Sequence, residues 1–391
     1  MDKTVYLDNS ATTKISDEAL KKYNEVSLSH FGNPSSLHSI GLDAEREMDA
    51  AKKEILNSLA FRDGSVVFTA SGSEANSLAI MGRALSKERY KRGAKIITTL
   101  GEHASVSEPI KRLSEMGFKT AFIPTKGGKL DTDALVSEMT SDVILVSIMM
   151  VNNETGAHYD TKKVAEIMRS RSPEALLHVD ATQSYMKIPF TKASSGADMI
   201  TLSSHKIEGP KGVGALVIDN KIIKSRGLAP LIYGGGQGLG LRSGTENVPG
   251  IAAFGVAVRE GHAHLTENEE KLRTLRDYLI ERLNSEPSLS EISPTLPERS
   301  APHILNITLP SIKSETMLHY LSSLGIYTSS GSACSSNSHH LSSALIAYGR
   351  SEAEADCSLR ISLSPRNEKE ELDALCEALA SGLSRLQRIK K

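Results

Sequence analysis

The chain has 391 residues, of which 39% are hydrophobic and 24% charged, the proportions of a soluble globular protein long enough for one large domain and a smaller one. The 46 basic and 47 acidic residues nearly cancel to a formal net charge of −1, which argues against a nucleic-acid or anionic-membrane surface. The three cysteines, Cys334, Cys357 and Cys376, form no CxxC pair or zinc-type spacing, so neither a disulfide framework nor a structural metal site is expected. Met1 to Asp8 lacks the long apolar core of a signal peptide, and the longest apolar run, Val143 to Val151, is too short to span a bilayer. A cytoplasmic, reducing compartment is therefore expected.

In chain order, short apolar runs alternate with amphipathic segments. Val66–Thr69 predicts a strand, followed by a glycine turn and a helix from Ala75 to Ser86. Lys95–Thr99 predicts a strand, Ser105–Met116 a helix, Phe118–Ile123 a strand, Asp131–Met139 a helix and Val143–Val151 a buried strand. Asp160 is placed to cap a helix from Lys162 to Arg169, because its carboxylate can accept from the free amides of the first turn. Leu176–Val179, Met199–Ser203 and Ala215–Ile218 predict further strands. Such alternation implies an α/β fold with a mostly parallel sheet and right-handed crossovers, in which ligands sit at the carboxyl ends of the strands. After about Glu260 the texture changes to a long charged helix, Glu267–Leu283, and a Pro-rich surface connection, Glu286 to Pro302. Strands at His303–Leu309 and Leu359–Leu363 and helices at Glu315–Leu324 and Lys369–Leu386 then predict a smaller α+β domain.

The segment Ser203-Ser-His-Lys206-Ile-Glu-Gly-Pro-Lys-Gly-Val-Gly214 sets a lysine beside hydroxyl and imidazole groups, at a strand end and before a glycine-rich turn. A lysine alone is usually a solvated charge. In this setting it suits a Schiff base with pyridoxal phosphate, a cofactor with further demands that can be searched for. A carboxylate must keep the pyridine nitrogen protonated, and Asp180 follows the strand Leu176–Val179, where an aspartate is otherwise a turn or cap residue. Gln183 could reach the ring hydroxyl. A flat group must stack on the ring, and His103 follows the strand Lys95–Thr99. Amide and hydroxyl donors must hold the phosphate, and Ala70-Ser-Gly-Ser-Glu-Ala-Asn76 offers the amides of Gly72 and Ser73 with the Ser73 hydroxyl. Each signal is weak alone; their shared position at strand ends of one sheet is what raises them. Cys334 lies in a Ser- and Gly-rich loop, Ser329 to Ser338, where an exposed nucleophile that swings is expected instead of a small buried hydrophobe. Cys357 and Cys376 sit in apolar contexts and read as structural. Arg360, opening the strand Leu359–Leu363, is a candidate fork for a substrate carboxylate, with a surface ion pair as the plainer alternative.

Nine short motifs in order then resemble one family: Tyr6-Leu-Asp-Asn-Ser-Ala-Thr-Thr13, Phe31-Gly-Asn-Pro-Ser-Ser-Leu-His38, Glu102-His103, Val151-Asn-Asn-Glu-Thr-Gly156, His178-Val-Asp-Ala-Thr-Gln183, Ser203 to Gly214, Gly234-Gly-Gly-Gln237, Arg242-Ser-Gly-Thr-Glu-Asn247 and Ser330-Gly-Ser-Ala-Cys-Ser-Ser336. Nearly end to end, the chain resembles the cysteine desulfurases of the NifS/IscS type, in the class V aminotransferase group of fold-type I pyridoxal enzymes. That resemblance implies a large domain, residues 16–260, with a mostly parallel seven-stranded sheet between helices. It also implies a small domain, residues 261–391, carrying the Cys334 loop, against which residues 1–15 pack. The implied roles are Lys206 as the Schiff-base lysine, Asp180 on the pyridine nitrogen, Gln183 on the ring oxygen and His103 on the ring face as a proton carrier. Gly72, Ser73, Ser203 and His205 would hold the phosphate, joined by Thr245 from the partner subunit of a homodimer. Asn153 would contact cofactor and substrate, holding the substrate carboxylate with Arg360. Cys334 would take sulfur from L-cysteine as a persulfide, leaving L-alanine, and pass it to an acceptor such as an iron–sulfur scaffold or a tRNA-thiolation enzyme; no resident metal is implied, Cys334 being at most a transient iron–sulfur ligand.

Some positions depart from the family pattern. Gly238-Leu239 stand where Glu-Arg is usual, Ser73 replaces the usual Thr but keeps the hydroxyl, and the C-terminal Arg388-Ile-Lys-Lys391 is not a clear version of the scaffold-binding tail of housekeeping members. Alternative readings are a selenocysteine lyase or aminotransferase on the same fold, or a non-catalytic partner protein. Transamination needs no protein thiol, and a relic needs no intact Lys206, Asp180, His103 and Cys334, so these four residues weigh against the alternatives.

Overall fold

The computed structural model describes residues 4–86, 93–330 and 341–389, with the backbone alone described over 387–389. Its centre is a seven-stranded sheet in the order Gly64–Thr69, Gly214–Asp219, Met199–Ser203, Leu176–Asp180, Val143–Met149, Lys95–Thr99, Lys119–Ile123. All neighbouring pairs are parallel except those of Gly214–Asp219, which runs antiparallel to both its neighbours. The central strands are buried on both faces and so read as continuous apolar runs. Their side chains still alternate between two layers. Ile97, Val146, Leu177, Ile200 and Val217 join the core made with the helices Asp17–Ser29, Ser39–Ser58, Thr161–Arg171 and Val248–Ala263. Ile96, Leu145, Leu176, Met199 and Leu216 face the other layer, with Gly72–Leu85 and Ala104–Glu115.

A third core lies after Ala263. There the antiparallel strands Ile304–Thr308 and Ser358–Ser362 carry Leu305, Ile307, Leu359 and Ile361 into a cluster with the helices Leu265–Ser285, Ser314–Ser323 and Lys369–Ile389. The chain's beginning belongs to this core: Val5–Tyr6 pairs in parallel with Ile326–Tyr327, and Val5 and Leu7 are buried in the cluster. Residues of opposite parity on the same strands, Asn306 and Arg360, are register partners on the other face and are also buried.

Two expectations need correction. The helix placed at Ala75 begins at Gly72, because Ser71 is its N-cap, accepting from the Glu74 amide at 3.1 Å. Glu286 to Pro302 is more than a surface connection: Leu289 and Ile292 are buried in the third core, and Ser293–Thr295 forms an edge strand beside Ile304–Thr308. The predicted cap at Asp160 is present, with its side chain accepting from the Lys163 amide at 3.0 Å. Among the described residues, no helix is long and apolar enough to cross a membrane.

Candidate active site

Three strands of the sheet end at one cavity: Met149, Asp180 and Ser203 are the last residues of their strands and all line a space of about 250 Å³. From the expected set, Gly72, Ser73, His103, Asn153, Asp180 and Gln183 line it, as do Ser203, His205, Lys206 and Arg360. Of the two remaining expected residues, one lines another cleft and the other is not described. Thr245 lines a different cleft of the same chain, with Arg242 and Ala70. Cys334 lies outside the described residues, although its flanks are described. Ser329 is the register partner of Arg360, and Ser342 donates a hydrogen bond to Glu154, next to Asn153.

The helix Gly72–Leu85 presents its N-terminus to this cavity. Ser71 occupies the Glu74 amide, so the Gly72 and Ser73 amides at the head of the helix lack intrahelical acceptors and add to its positive dipole end. Gly72 also makes room there: a Cβ on it would lie 3.3 Å from both Ser203 Cβ and Thr182 Oγ1. Lys206 ends a short 3-10 turn, Ser204–Lys206, and its Nζ donates to the carbonyls of Ser10 at 2.5 Å and Ala11 at 2.8 Å. His205 Nδ1 lies 3.1 Å from Thr12 Oγ1. Burial, then the nearby Lys206 and Lys211 charges, push the His205 pKa down to about 4, so its imidazole is neutral at pH 7.

The Asp180 carboxylate, 5% exposed, receives two N–H donors: Thr182 N at 2.9 Å on Oδ1 and Asn76 Nδ2 at 2.8 Å on Oδ2. Gln183 Nε2 donates to the Ser10 carbonyl at 3.0 Å. His103 caps the helix Ala104–Glu115, its Nδ1 accepting from Ser105 N at 3.1 Å. Burial chiefly lowers the His103 pKa; the Asp180 charge opposes that shift, while Lys206 and Arg360 reinforce it. Arg360 is not an open fork. Its Nη2 donates to Asp8 Oδ1 at 2.8 Å and its Nη1 to the Asn153 carbonyl at 3.0 Å, while Nε is buried without a partner among the described residues. The ion pair is an internal one, with side-chain exposures of 6% for Arg360 and 20% for Asp8.

Sequence reasoning assigned no role to Ser10, Ala11, Asn76, Ser105, Met149, Val151 or Thr182, all of which line the cavity. Ser10 and Ala11 arrive on a segment whose strand pairs with the third core, a placement no local pattern announces. Asn76 and Ser105 were within reach, one closing the Ala70–Asn76 turn and the other standing two residues past His103. Cys376 is buried, and burial first of all pushes its thiol up to about 11, so it is no nucleophile at neutral pH.

The model of the family described as aminotransferase class-V matches residues 5–375. The chain belongs to the class-V aminotransferase family. Within that family it is 37% identical over 384 residues to cysteine desulfurase IscS 1 of Archaeoglobus fulgidus, covering 98% of this chain and 97% of that one. It is 38% identical over 383 residues to a NifS/IcsS protein homolog of Lactobacillus delbrueckii subsp. bulgaricus, covering 96% of each. A solved NifS-like protein superposes with a TM-score of 0.89 at 33% identity, covering 98% of this chain and 100% of that chain. SspA in complex with cysteine matches with a TM-score of 0.79 at 30% identity, covering 93% of this chain and 100% of that chain. These relatives place this class-V aminotransferase among the NifS/IscS-type cysteine desulfurases, enzymes that use pyridoxal phosphate.

Proposed function

We propose that this chain is a pyridoxal-phosphate-dependent cysteine desulfurase, removing sulfur from L-cysteine to give L-alanine and a persulfide on Cys334. The observation that carries the reading is the convergence in one cavity of Lys206, Asp180, His103, Arg360 and the helix N-terminus at Gly72 and Ser73. The residues fit the cofactor: an anion cradle and a carboxylate lie in one space, where Ser10 Oγ and Asn76 Oδ1 are buried without a partner among the described residues. Lys206 would hold it covalently, Asp180 its ring nitrogen, Gln183 its ring oxygen, His103 its ring face, with Asn153 also in contact, and Gly72, Ser73, Ser203 and His205 its phosphate. Bound there, pyridoxal phosphate supplies an electron sink for negative charge developing on the substrate.

The chain's own residues then do the rest. Arg360, steadied by Asp8, would orient the substrate carboxylate with the second hydrogens of Nη1 and Nη2, beside the Asn153 side chain. Lys206 Nζ is the base for the substrate Cα proton, and His103 moves protons within the cavity. The Cys334 thiolate attacks the substrate sulfur; the new S–S bond forms as the C–S bond breaks, and its electron pair stays on carbon, where protonation leads to L-alanine. Both anchors flanking the Cys334 segment, Ser329 beside Arg360 and Ser342 on Glu154, adjoin residues next to the cavity, which supports this role.

We further propose a cytoplasmic homodimer that delivers sulfur to an acceptor in iron–sulfur cluster assembly or tRNA thiolation. Its cofactor-binding unit would be residues 16–260, with 261–391 and the N-terminal 1–15 forming the unit that carries Cys334. Leu28, Phe31, Leu37 and Tyr233 stand 69% to 94% exposed, apolar side chains that a partner subunit would cover, and Thr245 would reach the phosphate of the partner's site. Gly238-Leu239 lie in an exposed turn with left-handed φ of 57° and 60°, a shape that replaces the charged pair usual in the family.

The decisive experiment gives the purified, pyridoxal-loaded protein L-cysteine and a thiol reductant, and measures sulfide and alanine for wild type and Cys334→Ala. Equal amounts of both products from wild type and a near-complete loss in the variant are expected. A wild type that makes neither product, or a variant with full activity on cysteine, overturns the proposal. Borohydride reduction should add the cofactor's mass to wild type and not to Lys206→Ala; an unchanged adduct removes the Schiff-base assignment.

A further inference from the structure

Asn76, 1% exposed, and the half-buried Ser105 border the cavity without a role in the chemistry above. Asn76 Nδ2 donates to Asp180 Oδ2 at 2.8 Å and to Ser105 Oγ at 2.8 Å. An amide nitrogen has only hydrogens to offer, so Ser105 Oγ accepts from it, and the one hydroxyl hydrogen is left for His103 Nδ1 at 2.8 Å. The Ser105 backbone amide donates to the same Nδ1 at 3.1 Å. Two donors on one imidazole nitrogen require a lone pair there, so the proton of the neutral ring belongs on Nε2. Turning the Asn76 amide over would set its oxygen against the Asp180 carboxylate, so the direction of the chain of hydrogen bonds follows from the charge at its far end.

We infer that Asn76 and Ser105 are positioning residues that hold His103 as its neutral Nε2–H tautomer and tie that choice to the Asp180 carboxylate. A second proton on Nδ1 would turn away both Ser105 donors and so break the His103 N-cap of the helix Ala104–Glu115, in which Nδ1 accepts from the Ser105 amide. Of the charged groups facing the ring, Lys206 and Arg360 oppose that proton and Asp180 favours it, while burial opposes it most. His103 therefore exchanges protons with the cavity through Nε2 alone. The catalytic use of that proton rests on the desulfurase reading; the tautomer is a property of the protein by itself.

The test is long-range 1H–15N spectroscopy of histidine-labelled protein, without and with pyridoxal phosphate, across pH. His103→Gln identifies the resonance. Wild type should show Nδ1 unprotonated and Nε2 protonated at pH 7, with or without the cofactor. Ser105→Ala should shift the tautomer and protonation equilibria of His103 toward Nδ1–H by about three- to tenfold, the worth of one buried hydrogen bond. Ser105→Thr should restore them, and Asn76→Ala should move them the same way as Ser105→Ala. In the loaded Asn76→Ala protein the pH-dependent absorption of the cofactor should also move. Wild type carrying its proton on Nδ1 overturns the inference without any variant being made, so a variant that fails to fold leaves it testable. Identical titrations in wild type and Ser105→Ala, or no rescue by threonine, overturn it as well. Loss of the sulfide and alanine expected of wild type would sink the functional reading and leave the tautomer result standing.

Discussion

Gly214 offers the sharpest test of how the fold builds the turn proposed to hold the phosphate. It opens the strand Gly214–Asp219 and is the register partner of both Thr69 and Ser203, on the two neighbouring strands. A Cβ built on it would lie 2.5 Å from the carbonyl carbon of Ser71, 2.7 Å from its oxygen and 2.8 Å from the Gly72 nitrogen. Every one of these is backbone, so no side chain can swing aside. Ordinary carbon contacts need about 3.5 Å, so Gly214→Ala requires the turn to retreat by about 1 Å. Overpacking of this kind costs about 1–3 kcal/mol of stability. The displaced atoms belong to the helix N-cap and to the amide expected to hold the phosphate, and a misplacement of about 1 Å can cost about a hundredfold in rate. Titration of the cofactor-free variant with pyridoxal phosphate, followed by absorbance, should therefore show affinity at least tenfold weaker, beside a lower urea midpoint. Gly212→Ala is the control. Gly212 has nothing within 4 Å of its Cβ position but a φ of +79°. It should lose about 1–2 kcal/mol to left-handed strain while binding the cofactor as wild type does. If Gly214→Ala binds within twofold of wild type, or if Gly212→Ala loses as much affinity, the steric reasoning is wrong.

The buried pair of Asp8 and Arg360 should behave unlike a surface ion pair. Asp8→Ala leaves a guanidinium whose Nε already lacks a partner among the described residues, so denaturant unfolding should show a loss of about 3–5 kcal/mol, partly recovered in the Asp8→Ala, Arg360→Met double variant. A loss below about 1 kcal/mol would mean that the pair is effectively solvated. For pH, burial above all holds His178 and His205 down to about 4, against an unfolded value of about 6.5, so the folded state binds fewer protons. Their contribution is present above pH ~6.5 and is lost as pH falls toward 4. Urea midpoints at neutral and acidic pH should drop across that window, and His178→Gln should flatten the drop; a midpoint that rises on acidification contradicts the assignment.

Much of the sheet was legible because its strands are short apolar runs set between polar or glycine-containing turns. Lys95–Thr99 and Met199–Ser203 have the predicted bounds, and the other strands differ by one or two residues. The helix Val248–Ala263 gave no such signal. It packs between the helices Asp17–Ser29 and Ser39–Ser58 and buries Val248 through Val258 almost without interruption, so it has no polar face to set a period of 3.6. Those two partner helices were also missed, although Ser16 stands before Asp17-Glu18 and accepts from the Ala19 amide at 3.1 Å.

By itself the sequence determined that a lysine, a carboxylate, a histidine and a small-residue turn would stand at strand ends, because in a parallel sheet local order along the chain specifies which residues lie at the carboxyl edge. Only the tertiary structure decided what those groups touch. Asp8 meets Arg360 across 352 residues of chain, and Lys206 reaches Ser10 across 196. Asn76 joins Asp180 to Ser105, and Gly214 lets the Ser71–Gly72 turn close, through contacts between different strands and helices. Side-chain chemistry can be read along one dimension. The direction of a hydrogen bond, the partner of a buried charge and the space left by a missing Cβ depend on packing in three.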